Sequence, residues 1–76
     1  MVIVYDVETK RILSTEDGVS VPALPFGSEK EKREILRLDG RDYVSVDEEY
    51  GSHIVNYELV FDGDIFIGLR NKEGGI

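Results

Sequence analysis

The sequence predicts a mainly β fold: a small antiparallel meander of about six strands, in three hairpins that close into a compact barrel or sandwich. One short charged helix or irregular segment is expected near residues 28–34. Three observations support this. Asp-Gly pairs stand at Asp17-Gly18, Asp39-Gly40 and Asp62-Gly63, each between apolar residues; a type I′ hairpin turn needs positive φ at both central residues, which Asp-Gly supplies. The apolar runs are rich in β-branched and aromatic side chains, which suit a pleated surface. The 76 residues, 41% of them hydrophobic, suffice for one domain spanning 1–76 and no more. The Asp-Gly pairs recur at intervals of 22 and 23 residues, but their flanks share only the hairpin pattern, so no solenoid is expected.

Val2, Ile3, Val4, Tyr5 and Val7 form the first strand; "ETKR" is its corner, and "ILST" returns along it. Pro22 and Pro25 hold "VPALPF" extended, because proline disfavours helical geometry in the residue before it. Ser28 and Glu31 have capping-box spacing, and Glu29 and Glu31 suit the positive end of a helix. The stretch "SEKEKRE" offers no apolar stripe to bury, so at most two exposed turns are expected. The middle hairpin places Arg37 opposite Asp42 as a cross-strand ion pair, with Ile35, Val44 and Val46 on one face and Leu36, Leu38 and Tyr43 on the other. Residues 48–53, "EEYGSH", read as a loop.

The last hairpin has the strongest pattern. With Asp62-Gly63 as a two-residue loop, Phe61 faces Asp64, Val60 faces Ile65 and Leu59 faces Phe66. One face gathers Val55, Tyr57, Leu59, Phe61 and Phe66; the other gathers Val60, Ile65, Ile67 and Leu69. Side chains alternate along a strand, so apolar groups on both faces predict a central hairpin covered on both sides. Residues 73–76 are expected to form a flexible tail.

Charge narrows the partners. The net charge is −7, and residues 42–69 hold seven acids and no Lys or Arg. Such a field repels phosphate backbones, so no nucleic-acid partner is expected, and a charged partner should be a basic protein. No run of about 20 apolar residues is present to span a bilayer, and an acid interrupts the opening apolar stretch where a signal peptide would continue. No membrane partner and a cytoplasmic location are expected. The absence of cysteine removes disulfides and thiolate metal sites.

Several motifs touch on chemistry. Asp6-Val7-Glu8 resembles the Asp-x-Glu pair with which exonucleases of the Asp-Glu-Asp-Asp type hold two divalent metals. The resemblance spans about five residues and lacks the further carboxylates and cationic groove, so a strand end turning a corner is the expected reading. Asp62-Gly63-Asp64 and Asp47-Glu48-Glu49 do not have EF-hand spacing. His53 beside Ser52 lacks an orienting group and oxyanion donors, Pro22 and Pro25 lack the further prolines of a polyproline ligand, and Gly74-Gly75 is followed by Ile76, unlike the end of a ubiquitin-like modifier. No cofactor, metal or catalytic residue is therefore expected.

The expected function is that of a small, acidic, non-enzymatic protein-protein interaction or assembly module, self-associating as a homodimer. Its general character fits phage- or prophage-type accessory proteins. The alternative is an acidic inhibitor that imitates nucleic acid, with Asp42, Asp47, Glu48, Glu49, Asp62 and Asp64, joined by Glu58, converging on one partner-binding surface.

Overall fold

The computed structural model describes residues 1–25 and 27–72, the side chains of residues 51–53 excepted. The expectations for Phe26, the His53 side chain and the 73–76 tail lie outside the described residues. Among these, five strands form two antiparallel sheets beside one α-helix, so the fold is mainly β. A sixth strand and a closed barrel are absent from the described residues. Strands β1 (Val2–Asp6), β2 (Ile12–Glu16) and β3 (Arg41–Ser45) form a sheet of order β2-β1-β3, and β4 (Tyr57–Asp62) and β5 (Ile65–Asn71) form a hairpin. Helix α1 covers Glu29–Leu38, and a 3-10 segment covers Glu48–Asn56, where a loop was expected.

Strand β1, and not the last hairpin, is central. Val2 and Val4 pack with Leu36 and Tyr43 on its helix side, supported by Val21 and Leu24. Ile3 and Tyr5 pack with Ile54 and Leu59 on the other side, where Phe61, Phe66 and Leu69 of the hairpin complete the cluster. The continuous apolar run at the start of the chain is thus a strand buried on both faces. Each such aliphatic side chain contributes roughly 1.5–3 kcal/mol when fully buried.

The corner after β1 forms as its residues dictate. The Asp6 carboxylate accepts hydrogen bonds from the Glu8 and Thr9 N–H groups at 2.8 and 2.9 Å, and β2 returns antiparallel to β1. Asp17-Gly18 makes a turn at the end of β2, yet no strand follows it among the described residues. Pro22 cannot donate a hydrogen bond to a sheet, and Val21 and Leu24 instead lie against the helix-side cluster.

The middle hairpin is replaced by a helix joined to a strand. Ser28 caps α1 by accepting from Glu31 N–H, Glu29 and Glu31 occupy the first turn and Arg37 the last. The charged stretch does begin the helix, but α1 runs on through Ile35 and Leu36, and Leu36 supplies the buried apolar anchor. Gly40, at φ +73°, follows the Asp39 cap and donates to the Arg37 carbonyl at 3.1 Å. Left-handed glycine is as suitable just past a helix C-terminus as in a hairpin turn, which explains the different outcome of the same dipeptide. The Arg37–Asp42 ion pair forms at 2.6 Å, now from helix to strand.

In the β4–β5 hairpin the two-residue turn is Gly63-Asp64, flanked by the pair Asp62 and Ile65. Gly63 takes φ +62° while Asp64 stays at negative φ, as in a type II′ turn with glycine at its first central position. Phe61 therefore faces Phe66, and a bulge beyond it sets Leu59 opposite Leu69. One extra residue on β5 reverses the alternation, which brings Leu69 to the core face and corrects its expected place beside Ile65 and Ile67.

Candidate protein-binding surfaces

The outer face of the β4–β5 hairpin is built from Glu58, Val60, Ile65, Ile67 and Arg70. Its inner face is filled by aromatic contacts: Tyr5 to Phe61 at 5.1 Å and Phe61 to Phe66 at 5.6 Å between ring centres. The opposite face has no covering layer among the described residues. Ile65 and Ile67 remain 68% and 62% exposed, and Val60 is half-buried. At the open end of the hairpin Arg70 Nε donates to Glu58 at 2.7 Å. At its tip Asp62 and Asp64 are exposed, with Lys10 3.8 Å from the Asp64 carboxylate.

The acids expected to form a partner surface do not gather. Asp42 is 1% exposed; its carboxylate accepts from Arg37 and from Tyr43 N–H at 2.6 and 2.8 Å, and Arg33 lies 3.6 Å away. A buried charge needs such partners, so Asp42 secures α1 to β3 and is no part of an acidic surface. Arg33 also lies over the Tyr43 ring at 4.4 Å, and the Tyr43 hydroxyl donates to Glu29 at 2.8 Å. Burial raises the Tyr43 pKa.

Asp47 caps the 3-10 segment by accepting from Glu49 N–H. Glu48 accepts from the Met1 amino group at 2.6 Å and from Gly18 N–H at 2.8 Å, which lower its pKa in that order. Glu58 is held by Arg70, leaving Asp62 and Asp64 at the hairpin tip. Glu48 sits by Met1, before β1, whereas Asp64 sits by Lys10, beyond its other end. Five residues of strand separate the two groups by roughly 16 Å.

A second feature arises where the sheets part. Residues from the β1–β2 corner and β2, including Arg11 and Ile12, face Tyr57, Leu59 and Lys72 across a cavity of about 560 Å³. A neighbouring cavity of about 340 Å³ shares Ile12, Tyr57 and Lys72 and extends along Ser14 and Thr15. The sequence offered no sign of this groove, because Arg11 and Lys72 lie far apart in the chain.

Asp6 has a structural role at the corner. The Thr9 and Glu8 N–H groups lower its pKa, the Thr9 bond most strongly. Among the described residues no group of three or more His, Asp or Glu side chains is placed to hold a metal ion, and no helix is long and apolar enough to cross a membrane. Comparison with known protein families, curated proteins and solved structures finds no match for this chain.

Proposed function

We propose that this chain is a non-catalytic protein-binding module that pairs with a second copy of itself through the outer face of the β4–β5 hairpin. The observation behind this reading is the exposed pair Ile65 and Ile67 beside Val60. Two isoleucines two residues apart project from one strand face, and their contact with water is removed when a like surface covers them.

Charge favours a second copy as the occupant. The hairpin has an acidic tip, Asp62 and Asp64, with Lys10 near Asp64, and toward its open end an exposed Arg70 that also pairs with Glu58. A twofold axis that sets two hairpins face to face and antiparallel brings each acidic tip toward the other copy's Arg70. Such a contact is isologous and self-complementary. The nucleic-acid mimic has no comparable support, since Asp42 is buried and Glu48 and Asp64 lie toward opposite ends of β1.

Light scattering across protein concentration tests the reading. The wild-type chain should pass from monomer to dimer as concentration rises, and Ile67→Asp should remain monomeric while keeping its circular dichroism spectrum. A wild-type chain that stays monomeric at millimolar concentration refutes self-association.

A further inference from the structure

We infer that the groove between β2 and β4 is a docking site for an extended acidic peptide, which adds to the free edge of β2 as a further strand. This surface meets the outer hairpin face at Glu58 alone and includes none of Val60, Ile65 and Ile67, so the inference does not rest on dimerisation.

Backbone geometry is the first argument. Among the described residues, in the order β2-β1-β3, β2 pairs with β1 alone, and β4 pairs with β5 alone. An edge strand presents unpaired N–H and C=O groups, the template on which extended peptides add. Edge strands are commonly protected by proline or covered by a neighbouring segment. Here β2 holds no proline, and Leu13, Ser14 and Thr15 are exposed; a bulge at Leu13 interrupts its ladder to β1, so the regular part of the edge runs over Ser14–Glu16.

The lining supplies the second argument. Ile12, Ile54 and Tyr57 give the groove apolar walls beside the polar strand edge. Alternate side chains of an added strand would point toward these walls.

Charge selects the occupant. In a chain of net charge −7, the larger cavity is lined by Lys10, Arg11 and Lys72 against a single acid, Glu58, which Arg70 already engages. Lys10 is held by the Val7 carbonyl at 2.7 Å and lies 4.8 Å from the centre of the Phe61 ring. Arg11 and Lys72 have no ion-pair partner among the described residues. Two uncommitted cations beside an apolar groove suit a peptide that alternates apolar and acidic side chains and disfavour a basic one.

The probe is a short fluorescein-labelled peptide of alternating valine and glutamate, with a valine–lysine peptide as its counterpart. Fluorescence anisotropy on the full chain should show the glutamate peptide binding more tightly than the lysine peptide, and more weakly as salt rises. Arg11→Ala and Lys72→Ala should each weaken binding about threefold, and the double charge reversal Arg11→Glu, Lys72→Glu about tenfold or more. That reversed protein should now prefer the lysine peptide, a gain that general misfolding does not produce. Backbone amide NMR shifts should concentrate at Ile12–Thr15 and Tyr57–Leu59. Equal binding of both peptides, no binding at millimolar peptide, or shifts confined to Ile65 and Ile67 each overturn the inference.

Discussion

Replacing Asp42 with alanine tests the polar joint between α1 and β3. The carboxylate is 1% exposed and accepts from Arg37 at 2.6 Å and from Tyr43 N–H at 2.8 Å. Losing a hydrogen bond to a charged group costs about 1.5–3 kcal/mol, and stranding a buried N–H about 1–3 kcal/mol. The Arg37 and Arg33 side chains are 61% and 42% exposed, so water takes up much of their lost pairing. A net loss of about 3 kcal/mol is expected, a large share of the roughly 4–11 kcal/mol typical for a chain of this length.

Urea unfolding followed by circular dichroism measures it. With a slope near 1 kcal/mol/M, the smallest usual for a small domain, the midpoint should fall by about 2–3 M. Asp42→Asn keeps an acceptor for Tyr43 N–H and should lose about half as much. Asp62→Ala, at an exposed turn position, should stay within about 0.5 kcal/mol of wild type. A midpoint shift for Asp42→Ala below about 0.5 M, or one matching Asp62→Ala, refutes the assigned role.

Other expectations follow from the same packing. Leu36→Ala, at 2% exposure between α1 and β1, should cost about 2–5 kcal/mol in the same assay. Gly40→Ala adds a Cβ that meets nothing within 4 Å, but at φ +73°, so its expected loss of about 1–2 kcal/mol reports backbone strain alone. Asp6 and Glu48 both titrate below their ordinary values in the folded chain. Their contribution is therefore present above the ordinary carboxylate range and is lost as pH falls through the folded-state pKa values. Urea midpoints should accordingly fall on acidification below about pH 5, and Asp6→Asn should flatten that dependence.

Much of the local structure was legible in the residues. The first strand, its corner at "ETKR" and its return along "ILST" follow from β-branched runs broken by a polar turn. Ser28 and Glu31 marked the helix start, and Asp62-Gly63 marked a hairpin. These signals act over a few residues, where backbone preference and local hydrogen bonds suffice. The Arg37–Asp42 pair was also legible, although through the wrong geometry: the same two charges meet across a strand pair or between a helix end and the strand that follows.

Tertiary contact decided the rest. Asp39-Gly40 satisfies a hairpin turn and a helix cap alike, since both call for glycine at positive φ. The burial of Leu36 against Val2 and Val4 favours the helix. The bulge in the last hairpin transfers Leu69 to the core, and with it the outer face becomes Val60, Ile65 and Ile67. Arg11 and Lys72 come together only because two separate sheets part beside β2. The sequence alone determined the first strand and its return, the start of the helix, where the chain turns and how its charge is distributed, because those properties reside in neighbouring residues. Only the folded arrangement decided which faces stay open to a partner, because exposure depends on what the remainder of the chain is long enough to cover.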